Sequence, residues 1–349
     1  MTTGEPGRRR PAGGERPSTA PGRAMEERTL GASGLPVSPI GLGLAAVGRP
    51  AYINLGRSSD LGEDRGVAAL RARAAELLDA AVAAGVRYVD VARSYGLAES
   101  FVGSWLAGLP DGAIVPTIGS KWGYTYVGEW RMDAPVHEVK DHSLGAFRRQ
   151  LAESRAILGD RLRLYQVHSA TLESGILDDR NVLAALAELS ASGTAVGLSV
   201  SGPSQSETIR RALEVRVDGR SPFSSVQATW NLLEPSVEPA LLEAHTAGWG
   251  VIVKEALANG RLARADRVPE PVRAVAERQG VAPDAIAIAA ALALRWADVV
   301  LSGAATLDQL RSNLAATAVE LTAAELDGFA TLAEPAEAYW AARGRLDWT

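Results

Sequence analysis

Eight short apolar runs, each followed by a longer stretch of helical periodicity, constrain this sequence more than any other feature. The runs are 36–43 (PVSPIGLG), 87–92 (RYVDVA), 114–121 (IVPTIGSK), 161–168 (RLRLYQVH), 195–201 (AVGLSVS), 224–231 (SSVQATWN), 250–256 (GVIVKEA) and 299–304 (VVLSGA). Nearly continuous apolar character marks strands covered on both faces, as parallel sheets require. Between the runs lie amphipathic stripes. Leu70, Ala74, Leu77, Leu78 and Ala81 form one; Leu144, Phe147, Leu151 and Leu158 a second; Val182, Leu186 and Leu189 a third. Gly85, Gly193 and Gly248 follow helices just before the next strand, where a left-handed residue ends a helix cleanly. Eight such repeats predict an α/β fold, a (β/α)8 TIM barrel. The rival that periodicity does not separate is a doubly wound open sheet.

Residues 27–35 (ERTLGASGL) carry two turn signals and predict a small N-terminal hairpin capping the barrel bottom. Three connections are long: 44–66, 122–142 and the tail 333–349. In a barrel the first two lie at the C-terminal face, where barrel enzymes keep their chemistry. Their aromatic residues Tyr52, Trp122, Tyr124 and Trp130 are candidates for substrate contact, or simply pack the loops. Residues 1–24 are rich in Gly and Pro with almost nothing to bury, so 1–26 is expected to be a disordered extension and 27–349 the barrel. The arginine triplet at 8–10 has no apolar segment after it, which argues against an export signal.

Composition removes several function classes. A net charge of −5 without a basic stripe offers no footprint for nucleic acid. No cysteine is present, so disulfides, thiolate metal sites and cysteine nucleophiles are excluded, and a cytoplasmic location is expected. Four histidines, none at i, i+4 spacing, make a metal site a poor expectation. No apolar run approaches a bilayer span.

Three ionisable residues end three successive apolar runs: Asp90, Lys121 and His168. A lone Asp there would serve as a helix cap, but charge at buried strand positions is rare unless paired or functional. Tyr95, five residues past Asp90, is placed to reach the same barrel mouth. The types suit carbonyl reduction, which needs a proton donor beside the developing alkoxide. Lys121 is expected to lower the Tyr95 pKa, Asp90 to keep Lys121 charged, and His168 to orient the carbonyl oxygen.

The segment Gly85-Val-Arg-Tyr-Val-Asp90-Val-Ala-Arg-Ser-Tyr95-Gly-Leu-Ala-Glu99 resembles the signature of the aldo-keto reductases. The likeness continues in order through Lys121, LYQVH ending at His168, Gly197-Leu-Ser199, Gln227-Ala-Thr-Trp-Asn231 and Gly303 through Asn313. It implies an NAD(P)H-dependent oxidoreductase reducing an aldehyde or ketone, or running in reverse. Asp90, Tyr95, Lys121 and His168 would be its catalytic residues. It further implies that Ser199 and Gln227 hold the nicotinamide carboxamide and that Trp230 stands where a tyrosine stacks on the ring. Lys254, Glu255, Leu257 and Gly260 would line the pyrophosphate, and Gly303, Gln309 and Asn313 the adenosine end. Asp60 would add a contact from the first long loop.

Departures from the family pattern bear on the cofactor. Val200 follows Ser199 where Asn is common, so Ser201 could serve instead, and Lys254-Glu255-Ala256 replaces Ser-Pro-Leu. Gly303, Ala304 and Gln309 stand where relatives carry cations for a 2′-phosphate, so NADP is favoured by the family alone, with NAD the other form. Gly41-Leu-Gly43-Leu-Ala-Ala46 fits a dinucleotide loop only weakly, since Gly48 and Pro50 interrupt the helix it needs. The alternative of another class is a non-catalytic nicotinamide-binding subunit or redox sensor. The expected partner is a small carbonyl or alcohol, with a sugar, a ring or a polyketide-like carbonyl all compatible with the aromatic loops.

Overall fold

The structure, a computed structural model, describes residues 1, 25–53, 55, 60–264 and 266–349. Most of the expected extension therefore lies outside the described residues. Met25 packs beside Gly85.

All eight apolar runs contain barrel strands. In chain order the strands are β1 (Arg28–Thr29), β2 (Pro36–Val37), β3 (Ile40–Gly43), β4 (Tyr88–Asp90), β5 (Thr117–Trp122), β6 (Tyr124–Tyr126), β7 (Glu138–Lys140), β8 (Leu162–Ala170), β9 (Ala195–Val200), β10 (Ser225–Thr229), β11 (Gly250–Lys254) and β12 (Val299–Ser302). The barrel runs β3-β4-β5-β8-β9-β10-β11-β12 and closes where β12 pairs with β3, Val300 opposite Ile40. Closure decides against the open sheet. Every residue of β5 and β10 is buried, as their apolar character requires.

The N-terminal hairpin forms as predicted, β1 antiparallel to β2, and plugs the barrel bottom. Leu30, Leu35 and Val37 join Tyr88, Leu164, Ile252 and Val299 in one apolar plug. Tyr88 fits inside because Gly41 and Gly119 flank it, where a methyl group would collide with its ring or hydroxyl.

The helices supply the outer layer. Val67–Ala83 buries the predicted Leu70, Ala74, Leu77, Leu78 and Ala81, and Arg180–Ala191 buries Val182, Leu186 and Leu189. The stripe on Leu144–Leu158 needs correction. Phe147 and Leu158 are buried, but Leu144 and Leu151 are only partly so, because Gln150 and Ser154 take the inner face. Gln150 accepts from the Gly123 amide and Ser154 donates to Glu99, so this face carries polar braces for the loops above. Gly85, Gly193 and Gly248 all have positive φ, as helix-ending glycines should. Among the described residues no helix is long and apolar enough to cross a membrane, and no cluster of three or more His, Asp or Glu could hold a metal ion.

Candidate active site

Parallel strands place their C-terminal ends at one rim, and there the four predicted residues meet. Asp90 ends β4 and Lys121 lies next to the end of β5; both are buried. The Lys121 ammonium pairs with Asp90 Oδ1, donates to the Val91 carbonyl at 3.1 Å and stands 3.4 Å from the Tyr95 hydroxyl. Asp90 Oδ2 accepts from Tyr88 at 3.1 Å and from Gln227 at 2.8 Å. This set of donors compensates the burial of a carboxylate.

His168 reaches the mouth through a break in β8. The register of β8 against β9 shifts between Val167 and Ala170, and Ser169 adopts a φ of 47°. Such a bulge re-aims a side chain. Ser199 braces it by accepting from the Ser169 amide at 2.8 Å, and the His142 ring meets the His168 carbonyl at 2.9 Å. The His168 ring stands edge-on to Tyr95, centroids 5.5 Å apart, with Tyr124 on another side at 5.1 Å. Burial, reinforced by the charges of Lys121, Lys254 and Arg49, holds the His168 pKa well below its ordinary value. The imidazole is neutral at neutral pH.

The expectation that Lys121 lowers the Tyr95 pKa is overturned. Burial acts first and Asp90 second, both pushing the phenol well above its usual range, while Arg49 opposes them. Lys121 is paired with Asp90, the same carboxylate that raises the phenol. Tyr95 is a neutral phenol.

These groups open onto a continuous cavity of about 760 Å3, which runs from Tyr95 and His168 past Gln227 and Lys254 to Gly303, Gln309 and Asn313. Its size lies within the roughly 300–1,000 Å3 of ligand sites. Lys254, Glu255, Leu257, Gly260 and Asp60 line it as expected, and so do Tyr52, Tyr124 and Ser201. Nothing stands within 4 Å of where a Cβ on Gly303 would project, so the backbone there is open to a ligand. Asn313 is committed to Asp284 and Ser302, and Gln309 accepts from the Ala305 amide. An elongated groove with cations midway and open backbone at one end fits a dinucleotide.

Four candidates lie elsewhere. Trp230 is buried, edge-on to Trp296 with its indole N–H toward Glu238, and is not part of the cavity wall. Ser199 serves the β8 bulge. Trp122 is wholly buried against Phe147 and His142. Trp130 donates to the Arg65 carbonyl and packs on Phe101. Each fills space or braces a loop behind the wall, which composition cannot distinguish from contact with a ligand.

Other residues emerge only in three dimensions. Arg49 is buried at the mouth, over the rings of Tyr95, Tyr52 and Trp348 at 5.4, 5.3 and 4.7 Å, and pairs with Glu138 at 2.6 Å. Trp348 stacks on His137 with centroids 4.2 Å apart. Arg343, from the helix Ala336–Arg343, grips Glu255 with two bonds of 2.8 and 2.5 Å. Burial raises the Glu255 pKa, but Arg343 and Lys254 outweigh it and bring it to about 2. The tail's Tyr339, Trp340 and Trp348 are the sequence signal for this packing. The signature Glu99 accepts from Ser120 and Ser154 and pairs with Arg93, so it braces the rim behind the site.

A closed parallel barrel with an acid, an amine, a phenol and an imidazole gathered at its C-terminal rim defines a barrel enzyme. The chain belongs to the Aldo/keto reductase family, whose profile matches residues 63–334. The family makes it an oxidoreductase acting on a small molecule, and its members generally use NAD(P)H. Among solved structures, it is similar to an aldo-keto reductase of Bacillus halodurans in its holo form, with 24% identity, TM-score 0.67, and coverage of 89% of this chain and 97% of that one. It is also similar to the Pseudomonas aeruginosa protein PA4992, with 26% identity, TM-score 0.60, and coverage of 84% and 95%. A comparison with curated proteins finds no match.

Proposed function

We propose that this protein is an NAD(P)H-dependent carbonyl reductase, converting an aldehyde or ketone to an alcohol or running in reverse. The observation that carries this reading is Lys121, buried between Asp90 and the Tyr95 hydroxyl, with His168 edge-on to the same phenol and Asp90, Tyr95 and His168 lining the cavity. When bound, the dinucleotide would supply hydride to the carbonyl carbon. Gln227, Lys254, Leu257, Gly260, Gly303 and Gln309 are the residues proposed to hold it. Tyr95, a neutral phenol, donates its proton as the carbonyl oxygen gains charge. Lys121, paired with Asp90 and 3.4 Å from the Tyr95 hydroxyl, is placed to donate a hydrogen bond to the phenolate oxygen left behind. His168 donates a hydrogen bond that orients the carbonyl oxygen, and its neutral ring leaves the proton transfer to Tyr95. Tyr52, Tyr124 and Trp348 offer apolar faces to the substrate.

NADP(H) is the proposed form on family usage, and a cytoplasmic location is proposed from the absence of cysteine. The test is purified protein with NADPH or NADH and a panel of sugars, aromatic aldehydes and cyclic ketones. Consumption of the reduced cofactor with one class supports the reading, and kcat/KM for the two cofactors decides the form. Quenching of protein fluorescence by cofactor, with no consumption on any carbonyl, would instead favour the sensor.

A further inference from the structure

Among the described residues, the one polar contact of the His168 ring nitrogens is Ser94 Oγ, 3.3 Å from Nδ1. Ser94 precedes Tyr95 on the loop after β4, and its side chain is fully buried. Its backbone carbonyl accepts from Arg49 Nη1 at 2.9 Å, so the residue is fixed in the same corner as the phenol.

A neutral imidazole carries one proton, on either nitrogen, and a hydroxyl can donate to one and accept from the other. If Nδ1 bore the proton, it would donate to Ser94, and the buried Ser94 hydrogen would have no acceptor among the described contacts. A buried donor left unmade costs free energy. If Ser94 donates, its hydrogen is satisfied, Nδ1 is an acceptor, and the ring proton sits on Nε2. That second arrangement pairs the buried Ser94 hydrogen, and the ring's own proton sits on Nε2, which is not sealed from the cavity that His168 lines. It also leaves an N–H donor on the ring's other edge, the form a carbonyl oxygen requires.

We infer that Ser94 is a positioning residue that holds His168 as its Nε2–H tautomer, making the ring a hydrogen-bond donor to a carbonyl oxygen. The inference concerns the resting protein and rests on the proposed reduction only for its catalytic consequence. The backbone side of His168 is held separately by His142, so the ring's place and its proton are set by different neighbours. The neutral state that the argument needs follows from the burial of the ring beside Lys121, Lys254 and Arg49.

The test is 15N NMR of the histidine rings in the whole protein, with His168→Asn used to assign the His168 signals. The wild type is expected to show Nδ1 as unprotonated and Nε2 as protonated at neutral pH. Ser94→Ala should shift the two His168 nitrogens toward a mixture of tautomers and leave cofactor affinity unchanged. It should lower kcat about tenfold, equivalent to about 1.4 kcal/mol, with Ser94→Thr, which keeps the hydroxyl, restoring both readouts. A protonated Nδ1 in the wild type overturns the inference, and so do unaltered His168 shifts in Ser94→Ala. If Ser94→Ala fails to fold, the wild-type shifts alone decide. A protonated Nε2 in protein that reduces no carbonyl would support the tautomer and overturn the proposed reaction, so the two failures are distinct.

Discussion

Asp90 and Gln227, 137 residues apart in sequence, are joined by a 2.8 Å hydrogen bond that crosses the barrel mouth. Their strands, β4 and β10, stand on opposite sides of the eight-stranded ring. The bond makes the Asp90 carboxylate a tie across the barrel as well as the partner of Lys121. It uses one N–H of the Gln227 amide and leaves the other N–H and the Oε1 acceptor for a cofactor carboxamide.

Gln227→Leu removes one donor from a buried carboxylate while keeping the volume. A hydrogen bond to a charged group contributes about 1.5–3 kcal/mol, and the urea midpoint should fall by the corresponding amount with the slope unchanged. An unaltered midpoint would mean that the bond across the barrel adds nothing to stability.

Tyr95→Phe keeps the ring against His168 and Arg49 and removes only the hydroxyl proposed as the proton donor. Cofactor affinity, read by fluorescence quenching, should be unchanged, while kcat falls by about 10²–10⁴, the range for a lost general acid. Near-wild-type turnover would end the proposed role of the phenol.

Arg343→Ala strips the hydrogen-bonded partner from Glu255, whose side chain is largely buried, and leaves it only Lys254 at 3.9 Å as a cation. Breaking a buried ion pair costs about 3 kcal/mol, visible as a lower Tm at neutral pH. The acid limb follows from linkage. The Glu255 pKa is lowered from 4.5 to about 2, so its contribution is complete above 4.5 and drains away as pH falls through 2. Glu255→Gln should flatten this limb of the Tm profile between about pH 4.5 and pH 2; a profile with the same slope would assign it to other carboxylates.

Lys254 lines the groove with a pKa lowered by burial, from 10.5 to about 8, despite the neighbouring Glu255. It is cationic below that value and neutral above it. Affinity of the free protein for the dinucleotide should therefore weaken as pH rises through about 8, and Lys254→Met should bind weakly and without that inflection. Titrations by fluorescence at a series of pH values measure both; a wild-type curve flat through pH 8 would remove Lys254 from the binding site.

Trp348→Ala removes the ring that stacks on His137 and covers Arg49 at the mouth. The expected result is a KM for the preferred carbonyl raised several-fold with kcat changed less, since a substrate-facing wall contributes uniform binding. Kinetics on the variant would separate this from a fall in kcat alone, which would point to disturbance of Arg49 and Tyr95.

Much of the scaffold was legible because strand and helix periodicity is a property of neighbouring residues. Gly85, Gly193 and Gly248 announced helix ends, and Asp90, Lys121 and His168 stood out as charge at the ends of apolar runs. The helix Leu144–Leu158 was harder. Its inner face carries Gln150 and Ser154, which look like surface residues until the loops they brace are in place. Trp230, Trp122 and Trp130 were ambiguous for a related reason, since an aromatic ring behind a wall and one facing a ligand have the same composition.

The chain order alone determined the alternation of elements, the hairpin plug and the four groups brought to one rim, because each depends on local pattern and on parallel strands ending together. Tertiary structure decided which side chains touch and which way they titrate: Gln227 on Asp90, Arg343 on Glu255, Trp348 on His137, and Tyr95 held as a phenol. Coulomb forces and desolvation depend on separation in space and on depth from water. Neither quantity is carried by distance along the chain.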